Sequence, residues 1–293
     1  MSIENQMQVV LSKMGITPVP VEKSLETFYQ VRDSNKRQGK KILKYEFNGE
    51  GFEKDGLIII PITDVHLGSR HSNVPYFKAF CEYILRTPNC VTILNGDLAE
   101  TATKVSVGAG MFEEEANIPE QLNALYQILK PLADAGKILG VGPGNHEERV
   151  YQMIGINPME LLADKLGVPY FGYQGFFNVV VNNISYKIVA FHGAGGGSTS
   201  ASKTKSAEKL NSVVPIADLY FSGHTHGLQS HKDVVYVMGN EDFLEPYIRT
   251  YVVGGSFMEY WGGYAEMKGL APSITGLSRI ELRPDKKDVR VII

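Results

Sequence analysis

Cysteine is scarce in this chain: two residues in 293, Cys81 and Cys90, with no CxxC spacing. That gives no footing to a disulfide framework, and both are expected to be small buried hydrophobes in an intracellular protein. Excess charge is missing too. Lys and Arg number 29 against 32 Asp and Glu, a net charge of −3. Nothing pulls the whole molecule toward nucleic acid or a membrane, so any basic surface must be local. No apolar run approaches the ~18–20 residues a membrane helix needs. The opening stretch MSIENQMQVV lacks a charged segment followed by a long apolar one, so a cytoplasmic location without a membrane partner is expected. No G-x-x-x-x-G-K-[ST] occurs, which removes the glycine-rich stretch 193–197 from consideration as a nucleotide P-loop. Internal repeats and low-complexity tracts are absent as well.

What remains is an ordinary globular composition, 43% hydrophobic and 21% charged, long enough for one elaborate domain or one domain with an appendage. Residues 1–55 differ in character from the rest. They read as short helical pieces broken at TPVP (17–20), followed by the basic stretch SNKRQGKKILKY (34–45) and a turn at Asn48-Gly49. We therefore expect an N-terminal extension over 1–55 and a main domain over 56–293.

The main domain opens with alternating elements. LIIIPI (57–62), VTILN (91–95) and KILGVG (137–142) read as buried strands. Between them, Asn73 caps a helix carrying Phe77, Phe80, Ile84 and Leu85, which ends near Pro88. Asn117 opens a second helix, with Pro119 in its first turn and a stripe of Leu122, Leu125, Tyr126, Leu129 and Leu132. Strand–helix alternation argues for parallel βαβ units in an α/β fold. The later half is mostly strands: a hairpin of 177–181 and 184–191 turned at Asn182-Asn183, then DLYFSG, VVYVM, TYVVGG, SRIEL and VRVII. The loop GAGGGSTSAS (193–202) is expected to be flexible.

Five consecutive strand ends each deliver polar side chains. They are Thr63-Asp64-Val65-His66, Asn95-Gly96-Asp97 with Glu100 close behind, Gly144-Asn145-His146-Glu147, His192-Gly193, and Gly223-His224-Thr225-His226. In an α/β sheet the carboxyl ends of the strands are where ligand sites form. Five of the chain's seven histidines are used, and the donors are oxygen and nitrogen with no thiolate. That mixture suits borderline divalent cations. Asp64, His66, Asp97, Asn145, His192, His224 and His226 make too many donors for one tetrahedral ion and enough for two that share a ligand. Asp97 is the natural bridge, since a carboxylate has two oxygens to share. An extended H-x-H would let His224 and His226 approach the ion pair from one side. His71 and His231 are read as structural, although His71 follows Arg70 closely enough to reach substrate.

The ordered set TDVHLG, NGDLAE, GNHE, FHG and GHTH resembles the calcineurin-like metallophosphoesterase family over roughly residues 57–257. The resemblance implies a sandwich of two mixed β-sheets flanked by helices, in four layers, with a dinuclear metal centre. One ion would take Asp64, His66, Asp97 and His226; the other Asp97, Asn145, His192 and His224. His146 matches the family's catalytic histidine, which is not a ligand. The activity implied is hydrolysis of a phosphate ester by water activated between two divalent cations, manganese first, with iron, zinc, nickel or magnesium as alternatives. His146 would protonate the leaving oxygen, and Glu147 or Glu100 would orient an imidazole. The alternative for Glu147 and Glu148 is an acidic first helical turn.

DVHLGS resembles the first motif of the DNA-repair nucleases of this family, which makes DNA the first substrate expected. A small-molecule phosphatase or phosphodiesterase is the alternative, and a non-catalytic metal-binding scaffold the alternative of another class. Candidate substrate contacts are Arg70, His71, Lys203 and Lys205. The basic residues Lys36, Arg37, Lys40, Lys41 and Lys44 are either a phosphate-contacting patch or solvated surface. The stretch 103–117 looks like an insertion near the site. Tyr260, Trp261 and Tyr264 could stack on bases, pack in the core or support a homodimer.

Overall fold

The structure is a computed structural model and describes residues 40–103, 106, 114–195, 199–239 and 242–293. The chain divides after Lys41 into two compact units. The helical pieces expected before residue 40, together with Lys36 and Arg37, lie outside the described residues. So do most of 104–113 and the centre of the glycine-rich loop, 196–198.

Strand β1 (Ile42–Phe47) opens the second unit and pairs in parallel with β5 (Gln174–Val181). The boundary expected at residue 55 therefore falls after a strand that belongs to the main sheet. The alternation is visible in KILKYEF, where Leu43, Tyr45 and Phe47 point inward, but the basic stretch that leads into it disguises it.

Strands β2 (Leu57–Ile59), β3 (Cys90–Asn95) and β4 (Ile138–Gly142) are parallel neighbours, as the βαβ pattern predicts. Two C-terminal strands, β11 (Arg279–Leu282) and β12 (Val289–Ile292), complete this five-stranded sheet in the order β12-β11-β2-β3-β4. The second sheet has seven strands. Its path runs β1-β5-β6-β7-β9-β10, and β8 pairs with β9 off that path. Here β6 is Ile184–Phe191, β7 Leu219–Ser222, β8 Leu228–Met238, β9 Leu244–Ser256 and β10 Gly276–Leu277. Both sheets mix parallel and antiparallel pairs. The β5–β6 hairpin turns on Asn182 and Asn183, both at positive φ (45° and 69°), the conformation a tight two-residue turn demands.

The period of two along each strand divides the core. Leu57, Ile59, Val91, Ile93 and Leu139 face the other sheet and pack on Phe177, Val179, Ile188, Leu219, Phe221 and Val252. Ile58, Ile60, Ile62 and Leu94 face outward onto helices. Those helices are α1 (Val74–Arg86), α2 (Ile118–Asp134) and α4 (Pro158–Leu166), contributing Phe77 and Ile84, Leu125 and Leu129, and Met159 and Leu162. Fully burying each such side chain is worth about 1.5–3 kcal/mol. On the outer face of the seven-stranded sheet, Val189, Tyr220 and Tyr251 pack on Ala207 and Leu210. The fold is α/β: two mixed sheets face to face, with helices outside both.

The helix signals hold. Asn73 accepts a hydrogen bond from Tyr76 N, and Asn117 exchanges bonds with Glu120 in a capping box. Cys81 and Cys90 are buried and free. Helix α4 was not among the expected elements, and α3 (Asn145–Ile154) was anticipated only through its acidic first turn at Glu147 and Glu148; α3 buries only Glu147 and Val150, too narrow a stripe to show its length in the sequence.

Candidate metal centre

All five polar strand ends arrive at one place. Asp64 and His66 follow β2, Asp97 follows β3, Asn145 and His146 open α3 after β4, His192 follows β6, and His224 and His226 follow β7. The first three come from one sheet and the last two from the other, so the side chains meet at the shared edge of the sandwich.

The backbone there is unusual. Asp64, His66, Asp97, Thr101, His224 and His226 all have φ between 43° and 66°. A non-glycine residue in the left-handed region costs on the order of 1–3 kcal/mol, and such residues gather at functional sites. The expected extended H-x-H is therefore corrected: β7 ends at Ser222, and left-handed turns at His224 and His226, not a straight strand, aim the two rings. Gly223 makes this possible. A Cβ there would collide with Thr63 Oγ1 and come within 2.5 Å of Asp64 Oδ2. Instead the His224 N–H donates to the Asp64 carboxylate at 3.0 Å.

Three groupings each bring ligand atoms within 4.8 Å of one another: Asp64, His66 and His226; Asp97, His192 and His224; and His66, Glu100 and His146. In the first, His226 Nε2 lies 3.2 Å from His66 Nε2 and 3.3 Å from Asp64 Oδ1. In the second, His192 Nε2 lies 3.1 Å from Asp97 Oδ2, without the alignment of a hydrogen bond. Asn145 Oδ1 joins this group at 2.7 Å from His224 Nδ1. The two groups adjoin, because Asp97 Oδ2 is also 3.9 Å from His66 Nε2.

Tautomers sharpen the picture. His66 turns its Nδ1 to Glu100 Oε2 at 3.0 Å, and His192 turns its Nδ1 to the Asn95 carbonyl at 2.8 Å. Both bonds use the Nδ1 proton, so each neutral ring presents an Nε2 lone pair to the centre. Lone pairs facing carboxylate oxygens at 3–4 Å, with Asp64, His66, Asp97 and His192 all buried, repel unless a positive charge lies between them. The donor set therefore fits a divalent cation, and these groups could hold one.

Without a cation, a proton on an imidazole can supply that positive charge. Burial opposes charge on Asp64 and Asp97, yet His192 and the neighbouring imidazoles hold both below the usual carboxylate range. Reciprocally, burial disfavours a proton on His192, but Asp97 and Asp64 overcome it and raise the ring to about 10. In His146 burial is likewise outweighed by Asp97 and Glu100, and its pKa rises to about 9. Burial and His146 depress His66, and burial and His192 depress His224. The centre is an anionic well that draws in positive charge.

No curated protein and no family model matches the chain. Among solved structures, one similar chain is a conserved uncharacterized protein from Streptococcus pneumoniae, described as a predicted phosphoesterase. It is 12% identical with a TM-score of 0.35, covering 80% of this chain and 88% of that one.

The two candidate orienting carboxylates have different tasks. Glu100 is the one that touches imidazoles: His66 Nδ1 at 3.0 Å and His146 Nδ1 at 3.4 Å. Glu147 touches none. Fully buried, it accepts backbone N–H bonds from Leu98 and Ala99 on Oε1 and from Asp97 and Gly144 on Oε2, at 2.8–3.0 Å. It pins the loop after β3 to the start of α3. Asp97 Oδ1 accepts the His146 N–H at 2.9 Å, so one carboxylate oxygen, not two, is turned inward. Sequence reasoning passed over Thr63, whose hydroxyl donates to Asp64 Oδ2 at 2.6 Å, and Thr101, whose hydroxyl donates to the His146 carbonyl at 2.7 Å. Threonine in a loop carries no signal that could have found them.

The expected substrate contacts are scattered. Arg70 and Lys205 are exposed, and the His71 ring packs along Gly263. Lys203 is buried, with its ammonium donating to Ser273 Oγ at 2.7 Å. His231 has the structural role expected of it, stacked on Tyr251 at 4.8 Å. Tyr260 meets exposed Trp261 edge-on; the Tyr264 side chain lies outside the described residues.

Proposed function

We propose that this chain is a metal-dependent phosphoesterase of the calcineurin-like metallophosphoesterase kind. The observation that carries the reading is the convergence of buried and half-buried donor side chains from five strand ends on one anionic well. Asp64, His66, Asp97 and His226 would hold one cation, and Asp97, Asn145, His192 and His224 a second. Asp97 would be the residue common to both; its Oδ1 accepts the His146 backbone N–H. A divalent pair supplies hydroxide near neutral pH and neutralises phosphate oxygens; manganese is the first choice, with iron, zinc, nickel or magnesium as alternatives.

The chain's own residues do the rest. Glu100 fixes the rings of His66 and His146, so that neither turns when substrate enters. His146 holds its Nδ1 proton on the Glu100 carbonyl at 2.9 Å. Its Nε2, 3.9 Å from Asp97 Oδ2, would give a proton to the departing oxygen of the ester. Asp97 and Glu100 outweigh burial and raise the ring to about 9, which favours the protonated form this role needs.

DNA is the first substrate to test, because DVHLGS resembles the repair nucleases, and a small phosphate ester is the alternative. Exposed Arg70 and Lys205 are the substrate contacts this reading favours, with His71 nearby; Lys203 would act by fixing the segment that carries Lys205. Purified protein with manganese is offered single- and double-stranded DNA, bis-p-nitrophenyl phosphate and p-nitrophenyl phosphate. Metal-dependent turnover of one or more, lost in Asp97→Ala, is expected. Hydrolysis of the monoester alone removes the nuclease; no turnover of any ester by a metal-loaded protein removes the enzyme.

A further inference from the structure

Strands β8 and β9 run well past the sheet that carries them. Strand β7 pairs with β9 only over residues 250–253. Beyond that point, among the described residues, 233–238 and 244–249 form a two-stranded ribbon. One face of the ribbon is tied down. Arg249 grips Asp233 with two hydrogen bonds of 2.8 and 2.6 Å, and Tyr247 donates to Asp218 at 2.7 Å.

The opposite face is bare and apolar. Register places Val234 opposite Ile248, Tyr236 opposite Pro246 and Met238 opposite Leu244, three successive cross-strand pairs on one side. Their exposures are high, 67% for Tyr236 and 93% for Met238, and Phe243 extends the patch at 79%. An isolated two-stranded ribbon is marginal in water, so a face of this kind is normally covered.

We propose that this face joins two copies of the chain, packed face to face about a two-fold axis near Tyr236. Two observations select a second copy as the occupant. The stripe carries no charge over three pairs, which matches the charge-depleted centre of homodimer contacts. The exposed area of these side chains is on the order of 800 Å² per copy, the share each partner brings to a standard interface. A two-fold arrangement lays the stripe of one copy on the same stripe of the other. This surface is distinct from the aromatic segment 257–264 that the sequence suggested, and the strand that carries it starts two residues after His226.

The test is the oligomeric state of the full chain by light scattering and sedimentation up to ~100 µM. Wild type is expected to be a dimer. Tyr236→Lys combined with Ile248→Lys, and separately Met238→Glu, should raise the dissociation constant at least ~10-fold while metal loading stays unchanged. Met238 is so exposed that its replacement leaves folding intact. Trp261→Lys should leave the dimer whole. Tyr236→Cys should form an intermolecular disulfide on oxidation, since Cys81 and Cys90 are buried. A monomer throughout the range, or a dimer that survives both lysines and the glutamate, overturns the proposal.

Discussion

The Glu147→Gln substitution tests the architecture of the site without touching a proposed ligand. The carboxylate accepts two backbone N–H groups on each oxygen, all four at 2.8–3.0 Å and in a fully buried position. Glutamine keeps the shape but turns one oxygen into a donor. Whichever way the amide faces, two buried N–H groups lose their acceptor and meet another donor. An unsatisfied buried donor costs ~1–3 kcal/mol, so the loss should be about 2–6 kcal/mol. If Oε2 is the atom replaced, the Asp97 and Gly144 N–H groups are the ones freed. Asp97, held at a φ of 49°, would then relax toward an ordinary backbone conformation and carry its carboxylate out of place. Urea unfolding should show the destabilisation at unchanged slope, and manganese titration should show weakened loading. A variant within ~0.5 kcal/mol of wild type that binds metal normally would refute the anchoring role.

Gly223→Ala should place a methyl group against Thr63 and the Asp64 carboxylate, lowering metal affinity more than global stability; an unchanged binding isotherm would contradict the close approach. His146→Ala should keep its metal and lose ~10²–10⁴-fold in turnover, read by elemental analysis beside ester hydrolysis; metal loss would show the ring to be a ligand. Burial pushes the thiols of Cys81 and Cys90 up to about 12, so neither should alkylate in folded protein at about pH 8, and both should once urea unfolds it. Fast labelling of the native state would mean that α1 and β3 open readily.

The sequence announced strands by apolar runs and helices by their caps, and both signals survive because they are local. Asn73, Asn117 and the Asn182-Asn183 turn act within a few residues of themselves. The polar strand ends were legible for another reason. A run of imidazoles and carboxylates at five successive strand ends has no structural explanation, and the structure brings them together. What was not legible depends on partners distant in sequence. Strand β1 follows a basic stretch and became a strand by pairing with β5, more than a hundred residues away. Glu147 was legible as an acidic residue of a first helical turn, which it is, but not as the anchor of the loop after β3. Its true partners, the N–H groups of 97–99, carry no side-chain signature. The left-handed turns at His224 and His226 likewise depend on Gly223 fitting against Thr63 from another sheet.

Manganese loading, measured per chain on metal-stripped protein and on Asp97→Ala, tests the central claim most directly. The account predicts two ions bound by wild type and loss of both, or disorder of both, when the shared carboxylate is removed. Zero ions bound by wild type, or full loading of Asp97→Ala, would contradict it.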